Sequence, residues 1–473
     1  MPEPTYRRRM LVLAICCMSL LIVSLDNTIL NVALPSMQRD FHSSISGLQW
    51  TIDAYLLVIA SLLLLSGSTA DRIGRKRVFQ TGLVLFTTGS LLCSLAPGLG
   101  WLIAFRMVQA VGGSMLNPVA MSIITNTFSD ARERAKAIGV WGGVVGISMA
   151  AGPIVGGTLV QSVGWRSIFW INLPIGLAAL ALTARYVPES RAARARRIDP
   201  VGQVLVIALL GPLTYGIIEG SHAGWDSPLI IGCFAVAALA VTSLAVYEKR
   251  RIDPLIDVRF FRSAPFSGAT AIGVSGFAAM GGFLFLNTLY LQDQRGLSAL
   301  DAGLYMLPMA LTCLICAPIS GRLVASRGPR ISLVLAGSAM TVSGVLFAAL
   351  DAQSSNVLLF TSYVLFGVGF GLVNAPITNT ALSGMPRAQA GVAAAVASTS
   401  RQIGQSLGVA VVGATLAAGL HLTAWWIIAG CGACVLVVGT LTSGRWARGT
   451  AERTAAGLRE PEADETLIAV KAS

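Results

Sequence analysis

Four charged side chains interrupt otherwise apolar stretches of the sequence: Asp26, Asp53, Arg106 and Arg401. A carboxylate in such a setting is a group that can take up and release a proton, and a guanidinium beside it favours the charged form. A set of this kind can couple proton movement to a change of shape. Each charge at the centre of a membrane helix costs about 2.5–3.5 kcal/mol on insertion scales, so a chain that keeps two acids and two bases there uses or pairs them. Arg106 opens a polar stripe with Gln109, Gly113 and Asn117, spaced so that all four fall on one helix face. Arg401 lies in a similar stripe with Ser398, Gln402 and Gln405.

The elements that carry these residues must be membrane helices. Of 473 residues, 54% are hydrophobic and 12% charged, and the mean hydropathy is +0.72, which excludes an ordinary soluble domain. A span needs roughly 20 apolar residues. Fourteen such spans are predicted, from Met10–Val32 at the start to Leu422–Thr442 at the end. The fold class is therefore all-α, embedded in the lipid bilayer.

The net charge of +12 does not signal nucleic acid, because the basic residues sit in short loops on alternate sides of successive spans. Of the 34 Lys and Arg residues, Arg106 and Arg401 are mid-span, Arg39, Arg166 and Arg295 fall on one side, and the remaining 29 fall on the other with both termini. Positive residues stay inside, so both termini are expected in the cytoplasm of a multi-pass protein of the cell (plasma, or inner) membrane. The first span is too long for a cleaved signal peptide. No Walker sequence, metal-ligand cluster or nucleophilic triad is present, so neither ATP nor a cofactor nor an enzyme activity is implied. The pairs Cys313/Cys316 and Cys431/Cys434 read as small apolar helix residues, and His42, His222 and His421 as solvated loop residues.

A weak repeat spans the chain. Gly67 to Lys76 (GSTADRIGRK) corresponds to Gly321 to Arg330 (GRLVASRGPR), and Gly112 to Pro118 (GGSMLNP) to Gly369 to Pro376 (GFGLVNAP). The offset of eight spans predicts two six-helix halves around an inserted helix pair: residues 1–187, the insert 188–262, residues 263–442, and a mobile cytoplasmic tail 443–473.

Taken with Leu25 to Pro35 (LDNTILNVALP), the Arg106 helix, Gly152-Pro153 in a glycine-rich fifth span and Trp165 to Pro174 (WRSIFWINLP), these motifs resemble the major facilitator superfamily, specifically its fourteen-span drug:proton antiporters. The resemblance implies that Asp26 carries the coupling proton and that Arg106 tunes it. It also implies that Asp71, Arg72, Gly74 and Arg75 control conformation, with Gly152 and Pro153 as the antiporter motif. Asp53, Gln109, Asn117, Arg401 and Gln405 are expected in the substrate pocket. Some relatives carry acids on the tenth and thirteenth spans; here there are none, so dications are poor candidates.

The reading is a proton-coupled antiporter, a monomer, that exports small amphipathic drugs or antibiotics, neutral or monocationic, by alternating access. A proton entering down about 100 mV releases about 2.3 kcal/mol, enough for a roughly fifty-fold gradient of one neutral molecule. The runner-up is a dedicated exporter of one endogenous metabolite or self-made antibiotic. A membrane-embedded enzyme would need a long loop rich in acids or metal ligands, and a non-transporting scaffold would show no vesicle flux.

Overall fold

A computed structural model describes residues 6–128, 130–192, 199–251, 254–351, 353–383, 385 and 390–458. All regular structure among them is helical. The N-terminal bundle comprises α1 (Tyr6–Phe41), α2 (Ile45–Ile73), α3 (Arg75–Ser94), α4 (Leu99–Thr127), α5 (Ala131–Ser162), α6 (Ser167–Trp170) and α7 (Asn172–Tyr186). An inserted pair, α8 (Pro200–Ala223) and α9 (Pro228–Arg250), follows. The C-terminal bundle comprises α10 (Ala264–Leu289), α11 (Ala299–Tyr305), α12 (Leu307–Arg327), α13 (Pro329–Ala348), α14 (Asn356–Leu382), α15 (Ala390–Ala417) and α16 (His421–Thr442), and α17 (Arg445–Leu458) ends the described chain.

Local chemistry sets the boundaries. Hydroxyl or carboxylate caps accept the first free amides of several helices: Ser44 from Gly47, Asp130 from Arg132 and Glu133, Asp199 from Gly202, and Ser298 from Asp301. Pro200, Pro228 and Pro329 stand in first turns, where the missing amide costs nothing.

Twelve helical stretches among the described residues are long and apolar enough to cross a membrane. α3 and α15 are not among them, and the reason is compositional: α3 opens on Arg75, Lys76 and Arg77, and α15 carries Ser398, Thr399, Ser400, Arg401 and Gln402 in its middle. Two predicted spans are broken helices, at Ile171 between α6 and α7 and at Met306 between α11 and α12. The tail expected to be mobile from Ser443 is helical over Arg445–Leu458, with Ala447, Ala451 and Leu458 buried, and Thr450 Oγ1 accepts the Ala264 amide at 2.9 Å. The rest of that tail, 459–473, and residues 193–198 of the insert lie outside the described residues.

The two bundles repeat the same neighbour pattern: α1 with α5, α2 with α4 and α3 with both α4 and α7 in the first, matched by α10 with α15, α12 with α14 and α13 with both α14 and α16 in the second. α8 of the insert packs on α2 and α15, two helices that meet across the bundle interface. Gln203 Nε2 donates to Ser61 O at 2.6 Å and Trp50 Nε1 to Glu219 Oε1 at 2.8 Å, tying the insert to the N-terminal bundle.

Helix alternation puts the starts of α1 and α10 and the end of α16 on one face, here the terminal face; the other is the far face. At the far face the bundles close. Gln49 Nε2 donates to Val409 O at 3.2 Å and Ala410 O at 2.8 Å, and Gln292 Nε2 to Val32 O at 2.8 Å. A Cβ on Gly157 would stand 2.5 Å from Ala299 O, and one on Gly303 would strike Pro153 O. Toward the terminal face the same surfaces part. Along one face of α5, Gly146 still meets Leu314 of α12, but Gly142 and Gly139 meet nothing within 4 Å. Among the described residues the two bundles are therefore in contact at the far face and separate along this face of α5 toward the terminal face.

Candidate functional site

Asp26 lies on the middle of α1 and is buried, and Arg106, expected to tune it, is bound to it directly. Arg106 Nη1 of α4 donates to its Oδ2 at 2.5 Å, Gln109 Nε2 to Oδ1 at 2.9 Å, and Asn172 Nδ2 of α7 to Oδ1 at 3.0 Å. Gln109 Oε1 accepts from Arg106 Nη1 at 2.7 Å, and Ser90 Oγ of α3 accepts from Gln109 and Asn172 at 2.9 and 2.8 Å. The guanidinium carbon lies over the Tyr55 ring of α2, 4.0 Å from its centroid, and Arg106 Nε donates to Thr51 O at 3.4 Å. Five helices thus meet in one buried network, and Asp26 has a counter-charge and two amide donors. Such a pair is costly to break by removing one partner.

Gln109 was expected in the substrate pocket; it is instead fully buried inside this network. The stripe from Arg106 does face inward, but toward α1 and α2 rather than the space between the bundles, and a Cβ on Gly113 would stand 3.1 Å from Tyr55 Oη. Asn172, Ser90 and Tyr55 escaped sequence reasoning. Asn172 stands in the motif Trp165 to Pro174, where its side-chain amide was the available signal; Ser90 and Tyr55 offered none.

Asp53 also departs from its expected place in the pocket. It is 0% exposed at the seam of α2 and α15, and neither carboxylate oxygen has a hydrogen-bond partner. Ser406 of α15 lies beside it without completing a hydrogen bond of good geometry. Thr51 and Tyr55, which Arg106 grips, flank Asp53 in sequence, so this stretch of α2 is held on one side by the ion pair and carries the unpaired acid on another.

Arg401, Gln405 and Asn117 are half-buried on α15 and α4. Gly152 packs against Thr28 of α1, while the neighbouring Pro153 carbonyl meets Gly303 of α11, so the motif touches both bundles at once.

At the terminal face, Arg75 Nη2 donates to Asp71 Oδ1 at 2.9 Å, and Asp71 O and Ser190 O accept from Ala192 N and Arg75 N at 3.0 and 2.9 Å. Arg72 is exposed. In this state the Asp71 loop is tied to the strand of chain after α7 within its own bundle. Gly74 has φ 133°, and a Cβ there would stand 2.7 Å from the Glu189 carboxylate, which also accepts the Lys76 amide at 3.1 Å. Gly74→Ala is expected to cost about 1–3 kcal/mol of local strain. It should speed tryptic cleavage after Arg75, Lys76 and Arg77 while the spans stay intact. Cleavage at the wild-type rate would contradict this.

The sequence model described as Major Facilitator Superfamily matches residues 16–409. The chain is 37% identical over 417 residues to the multidrug resistance protein Stp of Mycobacterium tuberculosis, covering 88% of this chain and 78% of that one. It is 36% identical over 400 residues to the tetracenomycin C resistance and export protein of Streptomyces glaucescens, covering 84% and 74%. A bacterial homologue of the human lysosomal transporter Spinster, solved inward-facing and unoccupied, shares the fold with a TM-score of 0.63 at 17% identity, over 97% of this chain and 100% of that one.

Proposed function

The chain belongs to the Major Facilitator Superfamily and is a transporter rather than an enzyme; on that premise we propose that it is a proton-coupled antiporter exporting small amphipathic drugs or antibiotics from the cytoplasm. The observation that carries the coupling is Asp53. A charged carboxylate sealed at the bundle interface without a cation costs several kcal/mol, and the protonated acid does not. Closing the far face over Asp53 therefore goes with proton uptake from the far side, and the cycle moves charge inward only if that proton leaves toward the terminal side before the far face reopens. The Asp26–Arg106 pair transmits the change, because Arg106 holds the α2 segment on which Asp53 sits. Alternating access is the exchange of the sealed far-face seam for a sealed terminal face.

In this reading α3 and α15 also cross the membrane, giving fourteen spans. Each connects neighbouring candidate spans through links too short to return along the bundle. The terminal face is cytoplasmic, by the excess of basic residues there. A reporter fused after Ser473 is expected to be active only in the cytoplasm; periplasmic activity would reverse the direction of transport.

The deciding experiment is flux of a compound panel into everted vesicles with and without a protonophore. Accumulation that collapses with the protonophore supports the proposal, and accumulation unaffected by it sinks the coupling. A single accepted compound would favour a dedicated exporter, a reading that the tetracenomycin C relative keeps in view.

A further inference from the structure

Arg401 is a guanidinium near the middle of α15 that has no acid. Its Nη2 donates to Ser398 Oγ at 3.2 Å, one turn back on its own helix. Among the described residues no carboxylate forms an ion pair with it. The sequence explains why: from Ala264 to Thr442 the only acids are Asp293, Asp301 and Asp351, and all three stand at the far face. Of the two other membrane acids, Asp26 is held by Arg106, Gln109 and Asn172, and Asp53 is sealed in the α2/α15 seam.

The surroundings suit a ligand. The guanidinium carbon lies 5.9 Å from the Phe277 ring centroid, and Phe277 meets Phe370 edge-on with centroids 5.1 Å apart. Gly273 of α10 lets this part of α15 approach closely, since a Cβ there would stand 2.8 Å from Ser400 Oγ and 3.9 Å from Arg401 Cγ. Gln402, the next residue in sequence, keeps a buried Oε1 without a partner. Arg401 itself is half-buried, near the middle of α15. A guanidinium is a fork of donors suited to a carboxylate or another oxyanion. Left unpaired in a membrane interior, it is a functional-site candidate by default.

We propose that Arg401 recognises the acidic group of an amphipathic organic anion, a carboxylate or sulfonate, whose apolar body lies against Phe277 and Phe370. This rests on the transporter reading and replaces the expectation of a neutral or monocationic substrate. The energetics agree. An anion leaving the cytoplasm moves down the membrane potential, a bias of roughly fifty-fold per charge per 100 mV, in the same electrical sense as a proton entering.

The test is equilibrium binding of 1-naphthoate and its uncharged analogue 1-naphthamide to purified protein in nanodiscs at pH 7, read by tryptophan quenching. Wild type is expected to bind the naphthoate at least about tenfold more tightly than the amide. Arg401→Gln is expected to lose that preference with amide affinity held within about twofold, and Arg401→Lys to keep part of it. No preference in wild type, or an equal loss of both probes in Arg401→Gln, would overturn the proposal and leave Arg401 a packing residue. No gradient is involved, so the outcomes separate. A retained preference without protonophore-sensitive export sinks the antiporter reading alone, and uphill export without the preference sinks the anion site alone.

Discussion

Asp26→Asn is expected to abolish transport and to lower the unfolding free energy by about 3–5 kcal/mol, the usual cost of leaving one member of a buried ion pair without its partner. The loss falls on Arg106. Its Nη1 points at Asp26 Oδ2, it is fully buried, and its Nη2 already lacks a hydrogen-bond partner. With the negative charge gone, the guanidinium keeps only neutral acceptors, Gln109 Oε1, Thr51 O and the substituted amide's oxygen, and the Tyr55 face. The double variant Asp26→Asn/Arg106→Met removes both charges, so it should recover to within about 1–2 kcal/mol of wild type in stability. It should not recover transport, because nothing then grips α2. The measurement is denaturant unfolding of the purified variants, followed by tryptophan fluorescence, beside vesicle flux. A single variant as stable as wild type would show that the network does not hold the bundle.

How much of this was legible in the sequence depends on what each residue needed as evidence. Membrane helices announce themselves by apolar length, and a charge inside one announces itself by its cost, so Asp26, Asp53, Arg106 and Arg401 were all found. Their partners were not. Asn172 and Ser90 reach Asp26 and Gln109 from helices far away in sequence; the motif around Asn172 drew notice to its segment but not to its partner, and Ser90 carried no distinctive signal. The spacing of Arg106, Gln109, Gly113 and Asn117 gave a face correctly but could not say whether it looks at the space between the bundles or at neighbouring helices. Asp53 shows the same limit from the other side. Its place within a span suggested the substrate pocket, and only the approach of α15 seals it. The helix Arg445–Leu458 was missed because its buried positions are mostly alanines, Ala447 and Ala451, which barely register against the charges around them.

Asp53→Asn separates coupling from stability most cleanly. Asparagine has the size of a protonated aspartic acid and no charge to lose, so the far-face seam of α2 and α15 should close over it as it does here, with Gln49 still reaching Val409 and Ala410. Unfolding stability is therefore expected to stay within about 1 kcal/mol of wild type, or to rise, since the site no longer has to pay for burying an ionisable group. Substrate should still bind and equilibrate down its own gradient. The coupling itself should vanish: in vesicles with about 100 mV imposed, an accumulation of an uncharged test substrate of up to roughly fifty-fold in wild type should fall to equality across the membrane. Exchange should also lose its dependence on the pH of the far side, because the group that took up the proton there is gone. These two results belong together, and they contrast with Asp26→Asn, which is expected to lose stability and exchange alike. If Asp53→Asn still drives substrate uphill with proton flux at the wild-type rate, Asp53 is a buried structural acid. The coupling proton must then be carried by the Asp26 network, which would have to release Arg106, Gln109 and Asn172 in every cycle.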